Sequence, residues 1–138
     1  MRVTLLICDA AQEAGGKLYI LGGGWSHVKL GAPDNPVAMA LAIIVSVPWD
    51  LANKKMQFAA KLMDQDGSEV TLPDGNAVGV MGELEVGRPP GLKAGTDLET
   101  PVALTFGGLP LPPGGYRWEI EIDGTQQAIA PFRVLPAS

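Results

Sequence analysis

The sequence predicts an all-β domain: an antiparallel β-sandwich of about eight strands, immunoglobulin-like or a similar Greek key, with at most one or two short helices. Three observations carry this. Apolar and polar residues alternate with period two along most of the chain, turn chemistry recurs roughly every 8–12 residues, and no stretch keeps a helical period beyond two turns. Gly and Pro number 18 and 12 among 138 residues, a turn-rich composition, while 46% hydrophobic residues supply an ordinary core. The length fits a single β-sandwich domain over residues 1–138. A chain of this size buries roughly two thirds of its unfolded surface, so it needs no disulfide or metal to hold it together.

The elements follow in order. Arg2 to Cys8 reads as a strand with Val3, Leu5 and Ile7 on one face. Asp9 to Ala14 is a short helix candidate that Gly15-Gly16 would close. Strands at Lys17 to Leu21 and Trp25 to Leu30 flank Gly22-Gly23-Gly24. A long strand, Val37 to Val47, ends at Pro48, and Trp49 to Lys55 is the second helix candidate. Met56, Phe58, Ala60 and Leu62 alternate along Lys55 to Met63. The Asp64-Gln65-Asp66-Gly67 turn then leads into a short returning arm, Glu69 to Leu72. Val80 to Val86 and Thr100 to Phe106 are strands separated by a long loop, Gly87 to Gly95. Gly115 to Ile122 gives the clearest signal. There Tyr116, Trp118, Ile120 and Ile122 alternate with Arg117, Glu119, Glu121 and Asp123, one face buried and one wet. Asp123-Gly124 makes a two-residue hairpin turn into a last strand, Gln127 to Leu135.

Val37 to Val47 differs from the other strands. Its odd positions are large and apolar, and its even positions are Ala38, Ala40, Ala42, Ile44 and Ser46. A solvated face would carry charge or threonine there, so small residues mean that something packs closely over them. A loop or the Trp49 segment covers that face in one reading. In the other it is a subunit interface of Ala38, Ala40, Ala42 and Ile44, with Trp49 as an aromatic anchor.

Composition excludes several classes of function. Ten basic and fifteen acidic residues give a net charge of −5, and the basic ones are scattered, so no nucleic-acid partner is expected. No apolar run approaches the roughly 18 residues of a membrane span, and the basic-then-apolar start is too short for a signal peptide. A soluble cytoplasmic protein is the expectation. The one cysteine, Cys8, cannot pair within the chain or build a cysteine-based zinc site.

No catalytic constellation stands out. Acyl transfer needs a nucleophile beside a base, and the chain offers one cysteine, Cys8, and one histidine, His27. Each is better explained as a packing or surface residue. Gly22-Gly23-Gly24 precedes a strand, so no helix N-terminus exists there to hold a phosphate, and a bulge is expected. Asp64-Gln65-Asp66-Gly67 resembles the start of a calcium loop. The twelfth position, however, is Gly75 where such a loop needs a bidentate Glu, and a plain turn results. Glu83 with Glu85, and Glu119 with Glu121, read as solvated strand faces that discourage edge aggregation. Trp25 and His27 share a face on strict alternation, which makes a small aromatic–imidazole patch. No cofactor is implied.

Two stretches carry a family resemblance. The first runs from Cys8-Asp9-Ala10 through Gly16-Lys17-Leu18-Tyr19-Ile20-Leu21-Gly22-Gly23. The second is Leu111-Pro112-Pro113-Gly114-Gly115-Tyr116-Arg117-Trp118-Glu119, then Ile122-Asp123-Gly124 and Pro131-Phe132-Arg133-Val134. Together they resemble a family of small, uncharacterised, actinobacteria-type bacterial domains of unknown function. Such domains carry Gly-Lys-Leu-x-x-x-Gly-Gly and Pro-x-Gly-x-Tyr-x-x-x-hydrophobic-x-x-Asp-Gly motifs. The resemblance implies a β-sandwich and carries no activity over to this chain. The sequence therefore points to a non-enzymatic binding or assembly module that self-associates, or meets a protein partner, through an apolar sheet face. The alternative is a small-ligand or carbohydrate binder that uses Trp25, His27 and the end loops, with or without weak calcium binding at Asp64–Asp66.

Overall fold

In the computed structural model, which describes residues 1–138, nine strands and one 3-10 turn make two packed sheets. The strands are β1 (Arg2–Ala14), β2 (Lys17–Gly23), β3 (His27–Lys29), β4 (Val37–Val47), β5 (Met56–Asp64), β6 (Gly79–Leu84), β7 (Leu98–Leu109), β8 (Gly114–Ile122) and β9 (Thr125–Leu135). One sheet has the order β2-β1-β4-β7 and the other β3-β9-β8-β5-β6. Three hairpins, β1–β2, β5–β6 and β8–β9, are joined by connections that change sheet.

Period-two patterning decides what lies between the sheets. The odd positions of β4 (Val37, Met39, Leu41, Ile43, Val45 and Val47) are buried against Phe58, Ala60 and Leu62 of β5 and Trp118, Ile120 and Ile122 of β8. Each such large side chain contributes roughly 1.5–3 kcal/mol when fully buried. Trp118 sits at the centre, its ring 4.5 Å from that of Phe106, and its Nε1–H donates to Met39 Sδ at 3.2 Å across the two sheets. Tyr116 stacks on Phe132 at 5.5 Å and its hydroxyl donates to the Pro112 carbonyl at 2.6 Å. The Pro-Gly-x-Tyr stretch thus covers one end of the core. Asp123 and Gly124 adopt φ of +50° and +78°, the left-handed pair that a tight β8–β9 hairpin needs.

Several expected elements change. Asp9 to Ala14 is the second half of a thirteen-residue strand, not a helix, because Ala10 to Ala14 pair in register with Lys17 to Leu21. Gly15 and Gly16, at φ +59° and +77°, form the hairpin turn and not a helix stop. The short Trp49 helix shrinks to a 3-10 turn, Trp49–Leu51. Glu69 to Leu72 does return along β5 as expected, with the Val70 N–H donating to the Leu62 carbonyl at 2.9 Å, but through isolated bridges, Met63 to Glu69 and Thr71 to Ala77, and not a continuous strand. The third strand is three residues long and pairs parallel to β9, the one departure from an antiparallel sandwich.

Candidate functional site

Small residues at the even positions of β4 require a close neighbour, and the same chain provides it. Beyond Cys8, β1 no longer pairs with β4 but continues with β2 as a two-stranded arm. At the root of the arm the ladder is interrupted between Cys8–Gly23 and Ala10–Leu21, and Gly22 takes φ +60° against the Asp9 side chain. That is where the arm bends. Ala11 and Leu18 pack on a second small core of Cys8, Ala40 and Ala42, and β2 approaches β7, two strands beyond its own partner. Ala40 and Ala42 are 0% and 3% exposed within a single chain. The alanine face is therefore closed by the arm and is not a free interface, which corrects that expectation. Of the five residues, Ala38 remains exposed, Ile44 and Trp49 are half-buried, and Trp49 is already engaged. The Arg88 guanidinium lies 4.4 Å above its ring and donates to its carbonyl at 2.8 Å.

Trp25 and His27 separate. Trp25 turns inward and meets Phe132 edge-on at 6.1 Å, while His27, opposite Arg133 in the parallel β3–β9 pair, is exposed. Strict alternation fails because Trp25 and Ser26 precede β3 and lie outside the pleat. The Trp25 indole Nε1 is buried without a partner. Cys8 has no exposed surface and donates to the Ala40 carbonyl at 3.4 Å. Burial, with Asp9 nearby, pushes its thiol pKa up from 9.0, so it is held as the weakly nucleophilic thiol. In the Asp64 turn, Asp64 Oδ1 accepts the backbone N–H groups of Asp66 and Ser68, each at 2.9 Å, and so caps the turn itself. Glu119 is paired with Arg117 at 2.6 Å and Glu121 with Lys61 at 3.2 Å.

The surface feature that sequence reasoning missed is on β2. Tyr19, Ile20 and Leu21 are 57%, 38% and 71% exposed on an edge strand. With Ala10, Ala11 and Gln12 they line an open concavity of about 410 Å³ on the arm. No backbone hydrogen bond joins β2 to anything but β1 within Lys17–Gly22. Edge strands are usually protected by charge, proline or a covering loop, and here four consecutive apolar residues, Leu18 to Leu21, lack all three. The signal was present as a run with no polar alternation, but only the arm's bend reveals which of its residues stay outside. A second opening of about 240 Å³ lies between the free edges of β6 and β7, lined by Phe58, Val80, Leu84, Val102 and Leu104 beside Gly82. No helix is long and apolar enough to cross a membrane.

A model described as a family of unknown function, DUF6941, matches residues 3–135. No curated protein matches the chain. Among solved structures, the alkylpurine DNA glycosylase AlkC of Pseudomonas fluorescens, bound to DNA containing an abasic site analog, is similar at 12% identity and a TM-score of 0.43. The match covers 97% of this chain and 30% of that one, so this chain spans less than a third of its length.

Proposed function

The chain belongs to DUF6941, a family defined without an activity, and we propose that it is a non-enzymatic binding and assembly module that self-associates through an apolar sheet surface. That surface is the outer side and free edge of β2, not the covered face of β4. The observation that carries the reading is the exposure of Tyr19, Ile20 and Leu21 on an unpaired strand edge. Contiguous apolar surface of this kind favours association, because pairing removes it from water and satisfies the open backbone groups together. The buried, protonated Cys8 and the ion-paired Glu119 and Glu121 support a role without covalent chemistry. A lone thiol held buried and protonated suits a reducing, cytoplasmic setting.

Light scattering after size exclusion, over a tenfold range of concentration, tests this. The expected result is a mass that is a multiple of 14.4 kDa and falls to 14.4 kDa in Leu21→Glu, with the far-ultraviolet circular dichroism of the two proteins alike. A 14.4 kDa species at every concentration overturns the reading.

A further inference from the structure

The geometry of β2 specifies how two copies would meet, and the argument rests on the self-association reading above. A two-residue turn makes the flanking pair, Ala14 and Lys17, the first hydrogen-bonded pair of the hairpin. Alternation from there aims the backbone groups of Lys17, Tyr19 and Leu21 at β1. Those of Leu18 and Ile20, before the bend at Gly22, point away from the sheet, where no backbone group of the chain meets them. The strand runs from Lys17 to Gly23, so Ile20 is its midpoint.

We propose that a second copy of this chain adds to that edge, β2 antiparallel to β2, with the two-fold axis at Ile20, so that two four-stranded sheets become one of eight strands. The register, the side-chain pairs and the charges select this occupant. An axis at Ile20 is the one that pairs all seven residues of both strands. It makes Ile20 face Ile20 as a pair that exchanges both backbone bonds, with Leu18 brought to the Gly22 bend of the other copy on each side. Tyr19 then lies opposite the second copy's Leu21 in a non-hydrogen-bonded pair, where side chains approach most closely, so the two most exposed apolar residues of the strand cover each other twice. Charge is also complementary. β2 carries one charge, Lys17, at its start, and the Asp9 carboxylate lies against Gly22 near its end. Antiparallel pairing brings each Lys17 to the Gly22–Gly23 end of the other copy, beside that Asp9, and sets no acid against an acid.

The test uses the full-length chain with Cys8 replaced by Ala, so that no native thiol takes part. Tyr19→Cys and Leu21→Cys are prepared separately, then mixed and oxidised mildly. A disulfide-linked dimer is expected in the mixture and not in either variant alone, because positions 19 and 21 lie opposite each other only across the axis. Ile20→Pro supplies the second arm. It removes an N–H that points out of the hairpin, keeps an apolar surface, and is expected to give a monomer with Tyr19 and Leu21 unchanged. If the unmodified protein is a monomer, this proposal fails together with the self-association reading. If it is an oligomer but the mixture does not cross-link and Ile20→Pro stays associated, the strand pairing is overturned and association through the apolar surface stands. Cross-linking in either single variant alone overturns the register.

Discussion

At the scale of single residues, the buried Cys8 and the half-buried Tyr116 link the fold to alkaline pH. Burial raises the pKa of Cys8 above 9.0 and that of Tyr116 above 10.0, with Asp9 and Asp64 adding to the effect. The folded chain therefore holds both protons more tightly than the unfolded one. The stabilisation is complete below the unfolded values and is lost as pH rises through the folded ones. The urea midpoint is expected to be level between about pH 7 and 8 and to fall above about pH 9, with the first part of the fall absent in Cys8→Ala. A midpoint unchanged up to about pH 10.5 would refute this. A glycine makes a second prediction. A Cβ on Gly79 would overlap the Ala60 carbonyl oxygen, a backbone atom held in the β5–β6 ladder that cannot swing aside. Gly79→Ala is expected to cost about 1–3 kcal/mol, read as a lower urea midpoint. An unshifted midpoint would show that the two strands slide apart freely.

Among the elements, the arm of β1 and β2 and the edge strand β6 leave opposite signatures. The arm covers Ala40 and Ala42, so its residues facing the sheet contribute to stability although they lie outside the main core. β6 instead leaves space: an added Cβ at Gly82 would meet nothing within 4 Å, although Phe58 lies directly across the ladder. Gly82→Val is expected to raise stability by about 1 kcal/mol, by restricting the unfolded chain and burying two methyl groups over Phe58, Val102 and Leu104. Thermal denaturation checks it, and a lower melting temperature would mean that the opening is needed as it stands. The boundaries of β4 were legible because alternation and Pro48 are both local. So was the end of β8, where Asp123-Gly124 encodes a turn. Asp9 to Ala14 was not legible, because Ala, Gln and Glu favour helix by intrinsic propensity and only pairing with β2 overrides it. The alanines of β4 correctly announced a close neighbour, but its identity depends on a bend at Gly22, in another part of the chain and silent in composition. The apolar edge was visible as Leu18 to Leu21, and its exposure became readable once the arm was placed.

As a whole molecule, the sandwich has two unlike outer faces. The sheet of β5, β8 and β9 turns ion-paired Lys61, Arg117, Glu119 and Glu121 to water, while the arm on the other sheet presents Tyr19 and Leu21. Association through one side then links stability to mass action. The melting temperature of the wild-type chain is expected to rise with protein concentration and that of Leu21→Glu to stay level, as differential scanning fluorimetry over a tenfold dilution would show. A wild-type melting temperature independent of concentration would separate folding from association. The parallel pairing of β3 with β9 has a consequence of another kind. His27, Val28 and Lys29 find their partners at Arg133, Val134 and Leu135, so this edge of the sheet cannot close until Leu135 has left the ribosome. The β1–β2 and β8–β9 hairpins turn on two residues each and β5–β6 on residues 65–78, so all three can form as they emerge, whereas the β3–β9 pair encloses most of the sequence and bears the largest loop-closure cost. During synthesis, then, Trp25 and Val28 wait beside an unfinished sheet, and the last of its strands to be made is the one that seals it.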